Sequence, residues 1–409
     1  MPTPDEQFRT LRAGTVECIR EEDLRERLAT GRPLRVKLGI DPTASDLHLG
    51  FAVVLRKLRQ FQDLGHTAVL IIGDFTARVG DPSGRSATRP QLSTAEIDGH
   101  ARTYLDQVQR ILDFDGDRIE VRRNSEWLDG LDMARILELT ARVTVAQILE
   151  RNDFAQRMAA GSPVALMELL YPLLQGLDSV EVRADVELGG TDQLFNILMG
   201  RHLQAQAGQT PQVVLTTPLL EGIHGGDKMS KSLGNYVGVA EPPGEQFGKL
   251  MSIPDDLMGQ YFALTTGWGP DAVEAVTAEL ATAAPAERGA LKRRLARTVV
   301  DLYHGPGAGE AAEGEFDRVF RDHARPTDVP EVTVDAGELR DGRIEVGKLL
   351  HLAGLTSSNK EGRRQIAQGG VSVDEERIED PQATLGADEL DGRLLQVGKR
   401  RWARVRHPG

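Results

Sequence analysis

The chain has 409 residues, 40% of them hydrophobic, so it can bury a large core together with one or two smaller domains. Its formal net charge of -13 excludes a uniformly basic nucleic-acid binder and restricts any RNA contact to local basic patches. The single cysteine, Cys18, cannot form an internal disulfide, and no apolar run is long enough to span a membrane. Because the N-terminus also lacks the features of a signal peptide, the sequence predicts a cytoplasmic protein.

Short apolar runs alternate with amphipathic segments from about residue 34 to residue 220. Residues 35–40 (RVKLGI) and 67–75 (TAVLIIGDF) are predicted strands, and residues 49–64 are a predicted helix with one apolar face. Nearly continuous apolar strands are typical of a parallel sheet covered by helices on both faces. The pattern predicts an α/β fold, with a Rossmann-like catalytic domain over residues 1–240.

The character of the sequence changes after residue 240. Residues 241–325 are dominated by helical patterns and are predicted to form a helical domain. Residues 326–342 are rich in proline, aspartate and glycine and are predicted to be a linker. Residues 343–409 are predicted to form a small α+β domain with a helix, a turn, a second helix and strands.

The first motif that carries chemistry is DPTASDLHLGF, residues 41–51, a turn that leads directly into a helix. The start of a helix has unpaired N–H groups and a partial positive charge, which favour phosphate. His48 adds a ring donor, and Gly50 allows a nucleotide to approach the backbone closely. By itself, the motif is as well explained as an ordinary start of a helix.

The second motif is GGDKMSKSLGN, residues 225–235. Lys228 and Lys231, together with small hydroxylated residues and glycines, predict a mobile cationic loop that closes on a triphosphate and stabilises departing pyrophosphate. A solvated charged turn is the alternative. Because both motifs occur in one chain at predicted strand-to-helix junctions, a nucleotide site is the better interpretation. GDPSGR, residues 80–85, lacks the ending of a Walker loop.

The two motifs resemble the HIGH and KMSKS signatures of class I aminoacyl-tRNA synthetases. The segments KLGIDPT, GDPSGR, ELGGTDQ, PLLEG and KMSKSLGN are similar to the bacterial tyrosyl-tRNA synthetases in particular, and the similarity extends over nearly the whole chain. This resemblance implies ATP-dependent attachment of tyrosine to tRNA(Tyr) through tyrosyl-adenylate, with release of pyrophosphate. It also implies Mg²⁺ that arrives with ATP, no tightly bound cofactor or dedicated metal site, and a homodimer with its interface around residues 131–180.

A helix face carries the expected amino-acid site. Tyr171, Gln175 and Asp178 lie at positions i, i+4 and i+7 of an otherwise apolar helix, so they share one face and need polar partners. The residues alone favour partners within the core for Tyr171 and Gln175. The resemblance implies that these two side chains hold the ammonium group of tyrosine with Asp81, and that Asp178 accepts the phenol O–H.

Further roles come only from the resemblance. It implies that Asp192 and the backbone of Gly190 hold the ribose, that Gln193 contacts the reacting carboxyl group, and that Arg85 and Arg89 lie near pyrophosphate. The remaining assignments are Thr43 and Ser232 to catalysis, and Gly39, Asp41 and Met229 to ATP binding.

Two residues depart from the pattern of the family. Phe51 occupies the place of the second HIGH histidine, and a phenylalanine cannot supply the expected hydrogen bond. Lys37 stands where the family often has a tyrosine that touches the substrate phenol. A lysine there could pair with Asp178, donate to the phenol oxygen or face elsewhere, and we assign it to tyrosine binding.

The C-terminal segment resembles the S4 RNA-binding domain. Its cations would contact the RNA backbone, although a solvated charged surface is the alternative explanation. A second basic patch is expected in the helical domain. The predicted RNA-binding residues are Lys360, Arg363, Arg364, Lys399, Arg400, Arg401 and Arg404, and the second patch comprises Lys292, Arg293, Arg294 and Arg297.

Two other functions remain open at this point. A tryptophanyl-tRNA synthetase shares the fold and both signatures, but the polar helix face and the S4-like segment argue against it. An RNA-binding protein derived from a synthetase, with an inactive catalytic site, is supported by Phe51 alone.

Overall fold

The computed structural model describes residues 2–43, 46–83, 92–320, 329–398 and 401–407. The chain forms two compact units, Met1–Ala312 and Glu313–Gly409. Within the described residues, every helix is too short or too polar to cross a membrane.

A six-stranded sheet forms the centre of the first unit, and its strands are buried apolar runs. The strand order is β1-β6-β5-β2-β3-β4, in which β1 is antiparallel to β6 and the other neighbours are parallel. The predicted α/β fold is therefore confirmed. The strands are β1 (Cys18–Ile19), β2 (Arg35–Ile40), β3 (Thr67–Ile72), β4 (Ile119–Arg123), β5 (Val186–Gly190) and β6 (Val213–Thr217).

Helices connect and cover these strands. Their bounds are α1 (Pro4–Arg12), α2 (Glu21–Ala29), α3 (Leu49–Asp63), α4 (Thr76–Val79), α5 (Thr94–Val108), α6 (Ser125–Leu128), α7 (Met133–Thr140), α8 (Val145–Leu149), α9 (Asn152–Ala159), α10 (Leu166–Glu181), α11 (Leu194–Gln206), α12 (Pro243–Met251), α13 (Met258–Thr265), α14 (Pro270–Thr282), α15 (Pro285–His304) and α16 (Ala308–Phe320). Helices α10 and α11 pack closely at Gly176, where a Cβ atom would lie 2.9 Å from Leu203 Cδ1.

The order in which the chain adds strands to the sheet reverses between β2 and β5, which are parallel. From β2 the chain continues to β3 and β4 on one side, and it later fills β5 and β6 on the other. The two strands are paired only at Val36 with Val186 and at Lys37 with Glu187. Ligands of open parallel sheets bind beyond the carboxyl ends of the strands at such a reversal. The fold therefore places a crevice beside the residues that follow β2 and β5.

The predicted catalytic domain and the predicted helical domain as far as Ala312 lie within one compact unit. Helix α13 packs against α3 and α15, and the side chains of Tyr261, Phe262 and Leu295 are buried there. These apolar contacts explain why the change in sequence character near residue 240 does not separate two units.

The second unit is built on a five-stranded sheet of order β10-β9-β12-β13-β7, with a separate pair formed by β11 and β8. Two helices cover it and bury an apolar cluster that includes Leu349, Ile366 and Leu395. The elements are β7 (Glu331–Thr333), β8 (Arg343–Glu345), α17 (Val346–Leu352), α18 (Asn359–Ala367), β9 (Val371–Val373), β10 (Glu376–Arg377), β11 (Thr384–Gly386), β12 (Leu394–Val397) and β13 (Arg401–Arg406).

Residues Glu331–Thr333 of the predicted linker belong to this sheet. Strand β7 pairs in parallel with β13, so that Glu331 lies opposite Arg404, and Val334 is buried in the same cluster. The segment EVTV has only two apolar residues, and the proline and aspartate residues around it are typical of a linker, so the sequence did not predict a strand there. The predicted linker over 326–342 is therefore wrong for residues 331–334.

Candidate active site

Helix α10 contributes Tyr171 to the crevice beyond β2. The Tyr171 hydroxyl donates to Oδ2 of Asp41 at 2.8 Å, and the Thr76 hydroxyl donates to Oδ1 of Asp41 at 2.7 Å. Gly73 leaves the space for this carboxylate, since a Cβ atom there would lie 2.0 Å from Oδ1. Burial, reinforced by Asp41, raises the pKa of Tyr171 well above its ordinary value, so the phenol remains a hydrogen-bond donor.

Asp178 lies on the same face of α10 and is almost completely buried. The indole N–H of Trp127 donates to its Oδ1 at 2.9 Å, and the amide of Asn124 lies 3.5 Å from its Oδ2. Burial raises the pKa of Asp178 to about 7, although the Lys37 cation and these two donors oppose the rise. A carboxylate supplied with donors in this way can also accept the hydroxyl of a buried ligand.

Asn124 and Trp127 were not predicted from the sequence. They follow β4 directly, and the carboxyl ends of parallel strands meet at one edge of the sheet, which is a signal that applied to them as well.

Asp81 and Gln193 are brought together from distant segments. The Gln193 amide donates to Oδ2 of Asp81 at 2.8 Å, and the backbone N–H and hydroxyl of Ser83 donate to Oδ1 at 2.9 and 2.7 Å. Arg85 and Arg89, predicted near pyrophosphate, lie outside the described residues. Asp81 and Gln193, both predicted for the amino-acid site, therefore form one polar cluster with Ser83.

Arg151 is a buried cation beside this cluster that the sequence did not indicate. Its guanidinium donates to Ser83 Oγ at 2.6 Å and to Asn196 Oδ1 at 2.7 Å, and it lies 3.7 Å from a carboxylate oxygen of Asp81. The ring of Phe154 lies 5.2 Å from the guanidinium carbon. Arg151 thus ties the turn that carries Asp81 to helix α11.

Lys37 is fully buried and contacts three acceptors of the protein. Its ammonium donates to the carbonyl of Gln175 at 2.9 Å and to Ser179 Oγ at 2.8 Å, and it forms an ion pair with Glu187 at 2.9 Å. An ammonium group has three N–H donors, and these acceptors use all three. The structure therefore shows Lys37 bound by protein groups, and its assignment to tyrosine binding stays a prediction.

His48 and Gly50 begin α3 at the other side of the crevice. His48 is the N-cap residue, its Nδ1 is buried without a hydrogen-bond partner among the described residues, and burial lowers its pKa to about 4. The nearby Lys231 and Lys228 lower this pKa further. The imidazole is neutral at pH 7 and retains one donor and one acceptor.

The two signature motifs meet at Gly50. Its backbone N–H points at the sulfur of Met229 at 3.3 Å, and a Cβ atom on Gly50 would lie 3.1 Å from Nδ1 of His48. A side chain at position 50 would therefore crowd His48 and the second motif at once.

The cations of the second motif are held by acidic residues. Lys228 donates to Oδ2 of Asp192 at 3.0 Å, and Lys231 lies 3.8 Å from Oδ2 of Asp46. Burial lowers the pKa of Lys231, and Ser232 is exposed. Among the described residues, each ammonium group thus pairs with one carboxylate, and both lie near His48.

Asn235 holds the base of this loop and was named in the sequence only as part of the motif. Its Oδ1 accepts the backbone N–H of Ser230 at 2.8 Å, and its amide donates to the carbonyl of Lys228 at 3.3 Å. Its own carbonyl accepts the N–H of Ile223 at 2.9 Å. Gly222 makes room, because a Cβ atom there would lie 2.2 Å from the Asn235 amide.

The other predicted residues lie at the carboxyl ends of β2 and β5, just after β2, or in the first turn of α3. Gly39 is exposed, with open space where a Cβ atom would stand, and a Cβ atom on Gly190 would lie 2.7 Å from Oδ1 of Asp192. The backbone N–H of Thr43 donates to the carbonyl of Asp41 at 2.8 Å. Phe51 is half-buried in the first turn of α3.

The predicted RNA-binding cations lie in the second unit. Lys360, Arg363 and Arg364 are exposed on α18, and Arg401 is exposed on β13. Nε of Arg363 is 3.2 Å from Glu345, and Arg364 is 3.7 Å from Glu361. Lys399 and Arg400 lie outside the described residues, and Arg404 is half-buried.

The second basic patch, on α15, is partly neutralised. Lys292 pairs with Asp255 at 2.5 Å, and Arg294 pairs with Glu279 at 3.1 Å. Its net positive charge is therefore smaller than the sequence of α15 alone predicts.

Comparison of the sequence with known protein families identifies the class of protein to which this site belongs. The sequence profile of the tRNA synthetases class I (W and Y), the members for tryptophan and tyrosine, matches residues 29–321. The chain belongs to this family.

The most similar relatives identify the tyrosine branch. The tyrosine–tRNA ligase of Moorella thermoacetica is 50% identical over 403 residues, which cover 98% of this chain and 95% of that protein. The tyrosine–tRNA ligase of Salinibacter ruber is 49% identical over 413 residues, covering 100% of this chain and 98% of that protein. The predicted resemblance to tyrosyl-tRNA synthetases is confirmed, and the tryptophan and RNA-binder alternatives are not favoured.

Solved structures support the fold. The C-terminally truncated mitochondrial tyrosyl-tRNA synthetase of Aspergillus nidulans matches with a TM-score of 0.65 at 20% identity, covering 78% of this chain and 95% of that one. The enzyme of Archaeoglobus fulgidus, solved with L-tyrosine, matches with a TM-score of 0.60 at 21% identity and covers 76% of this chain and 99% of that one.

Proposed function

We propose that this chain is a tyrosine–tRNA ligase whose active site is the crevice between the ends of β2 and β5. The observation that carries this proposal is the convergence of three features at one crevice. These are the polar face of α10 with Tyr171 and Asp178, the start of α3 at His48, and the cationic loop with Lys228 and Lys231.

The first step forms tyrosyl-adenylate. An oxygen of the tyrosine carboxylate attacks the α-phosphorus of ATP, the bond from this phosphorus to the bridging oxygen breaks, and pyrophosphate leaves with its electron pair. ATP enters as its magnesium complex. Lys228 and Lys231 stabilise the charge that develops on pyrophosphate, and neutral His48 donates to a phosphate oxygen through one ring nitrogen. No side chain acts as a nucleophile, so catalysis depends on positioning and charge.

The second step transfers the amino acid. A hydroxyl of the terminal ribose of tRNA attacks the carbonyl carbon of the adenylate, and AMP leaves as the mixed anhydride bond breaks. Asp192 and the backbone of Gly190 hold the ribose of ATP, and Gln193 orients the reacting carboxyl group. Asp81 next to Gln193 binds the ammonium group of tyrosine, with Tyr171 and Gln175.

Exchange of pyrophosphate into ATP tests the proposal directly. We expect exchange that depends on tyrosine. Equal or greater exchange with tryptophan would reassign the amino acid, and the absence of exchange with every amino acid would favour an RNA-binding protein with an inactive site. Purified tRNA is left out, so that the result reports on the first step alone.

The second unit is proposed to bind tRNA(Tyr). The exposed cations of α18 lie on one short helix, and phosphate contacts dominate the affinity of such surfaces for nucleic acid. In the full chain, the double substitution Lys360→Ala with Arg364→Ala should weaken tRNA binding and lower the slope of log affinity against log salt by roughly one unit per lost contact. Arg406→Ala, which removes an exposed cation paired with Glu331, is the matched control. Equal salt slopes in all three proteins would contradict the proposal.

A homodimer is proposed through the region around 131–180. Met133, Leu137, Val145 and Leu166 are exposed there by more than half of their surfaces, at 70, 61, 65 and 76%. Large apolar side chains that cluster at a surface mark interfaces. Leu137→Asp with Leu166→Asp should yield monomers in sedimentation velocity, whereas Val16→Asp, an exposed apolar site elsewhere, should not.

A cytoplasmic location is proposed for the same chain. Its one thiol, Cys18, is half-buried, and burial raises its pKa to about 11, so the thiol is protonated and unreactive. Fractionation of cells that produce the full chain tests this location.

A further inference from the structure

A fully buried ion pair lies directly beneath the crevice. Lys37 and Glu187 stand opposite each other in the last register pair that joins β2 to β5, and their side chains are 0 and 1% exposed. Beyond them the two strands are no longer paired. Gly39 follows on the same face of β2, because side chains alternate along a strand, and it has open space above it.

The Glu187 carboxylate is saturated with donors. Oε1 accepts from Lys37 at 2.9 Å and from the side-chain amide of Gln175 at 3.2 Å. Oε2 accepts from Ser179 at 2.9 Å and from the side-chain amide of Gln212. Two buried charges are therefore compensated by hydrogen bonds on every side, which is the condition under which such a pair is tolerated in a core.

The pair holds Gln175 at two points, on its backbone and on its side chain, whereas its two contacts with Ser179 both go to the hydroxyl. Lys37 donates to the backbone carbonyl of Gln175, and Glu187 accepts from its side-chain amide. The first contact fixes the helix turn, and the second fixes the direction of the side chain. When Nε2 donates to Glu187, the amide oxygen of Gln175 is left to face an ammonium group.

We infer that Glu187, supported by Lys37, is a positioning residue that orients Gln175 toward the ammonium group of tyrosine, and that Lys37 does not read the phenol. This inference rests on the proposed role of Gln175 in binding tyrosine. Position 37 therefore stabilises helix α10 through the ion pair and does not contact the substrate.

The decisive experiment compares Glu187→Gln with Gln175→Ala in tyrosine-dependent pyrophosphate exchange. Glu187→Gln keeps the shape of the side chain but replaces one carboxylate oxygen with an NH₂ group. This group cannot accept a hydrogen bond from Lys37 or from the other donors around Glu187. We expect both variants to raise KM for tyrosine by roughly 10- to 100-fold, with a smaller change in KM for ATP. The double variant Gln175→Ala with Glu187→Gln should be no worse than the poorer single variant, because the two residues act in series.

A matched control separates positioning from loss of stability. Arg157 and Glu168 form another buried ion pair of the same unit at 2.6 Å, with side chains 4 and 3% exposed. Glu168→Gln should lower the midpoint of thermal unfolding as Glu187→Gln does, while KM for tyrosine stays unchanged. If Glu187→Gln does not fold, the charge-free pair Lys37→Met with Glu187→Gln removes both buried charges and is measured instead.

The outcomes distinguish the inference from the assignment beneath it. A raised KM in Gln175→Ala with an unchanged KM in Glu187→Gln would overturn the positioning role. An unchanged KM in Gln175→Ala would instead show that the assignment of Gln175 to tyrosine is at fault. If Lys37→Met accepts phenylalanine much better than the parent does, Lys37 contacts the substrate phenol, and that part of the inference is overturned.

Discussion

The amino-acid side of the crevice keeps its charged groups buried, whereas one of the two cations on the phosphate side, Lys228, is close to solvent. Lys37, Asp178 and Glu187 are almost completely buried, and each has two or more hydrogen-bond partners. On the phosphate side, Lys228 is substantially exposed, and its ammonium donates to the carboxylate of Asp192. A pocket discriminates between tyrosine and phenylalanine best when its polar groups are rigid and shielded from water. A loop that moves with departing pyrophosphate needs contacts that can break and form again.

The largest effect should come from the phosphate side. Lys228→Ala or Lys231→Ala should slow formation of tyrosyl-adenylate by roughly 10²–10³-fold, because a positioned charge is lost where negative charge develops on pyrophosphate. Tyrosine affinity should change little, since the cations act mainly in the transition state. Single-turnover formation of the adenylate measures the first quantity, and equilibrium dialysis measures the second. The conservative variant Lys228→Arg should recover part of the rate. Unchanged single-turnover rates in both alanine variants would show that neither lysine stabilises the departing pyrophosphate.

The next effect tests the buried side. Asp178→Ala should reduce the preference for tyrosine over phenylalanine by roughly 30- to 150-fold, because an unmade hydrogen bond to a buried polar group costs about 2–3 kcal/mol. The ratio of kcat/KM for the two amino acids in pyrophosphate exchange gives the preference. A variant that still rejects phenylalanine as its parent does would transfer the hydroxyl contact to Asn124 or Trp127, which already surround this carboxylate.

The fold followed from the sequence wherever one local pattern decided the outcome. The continuous apolar runs marked β2 and β3, and the helical spacing placed Tyr171 and Asp178 on one face of α10. Partners that meet only in the folded chain were missed. Trp127 lies 51 residues from Asp178 along the chain, and nothing in its local sequence indicates this contact. The direction of Lys37 was equally open, because alternation along a strand gives the face of a side chain but not its partner.

The third prediction concerns Asn235, which holds the base of the cationic loop. Asn235→Ala should reduce the rate of activation by roughly tenfold, because two hydrogen bonds that hold the loop base, each contributing about 0.5–1.5 kcal/mol, are lost. KM for ATP should rise, while KM for tyrosine should remain as in the parent. Asn152→Ala, an exposed asparagine at the start of α9, is the matched control. A variant that loses thermal stability but keeps its activation rate would limit Asn235 to a structural role.

The smallest effect is a pH dependence confined to the buried side. Burial raises the pKa of Asp178 to about 7, against the opposing influence of the Lys37 cation and together with the repulsion from Glu187. The ionised carboxylate is the better acceptor for the phenol O–H, so tyrosine binds best above pH 7. As pH falls through 7 the carboxylate becomes protonated, and kcat/KM for tyrosine should fall by roughly fourfold between pH 8 and pH 6.5.

Phenylalanine provides the control for this profile, because it has no hydroxyl for Asp178 to accept. Its kcat/KM in the same exchange reaction should remain nearly flat over this range. His48 does not contribute a second transition there, since burial and the neighbouring lysines lower its pKa to about 4 and leave it neutral throughout. Parallel pH profiles for the two amino acids would place the titrating group outside the phenol contact. A profile that falls for tyrosine alone would locate it at Asp178, and the buried side of the crevice would then control specificity through one proton.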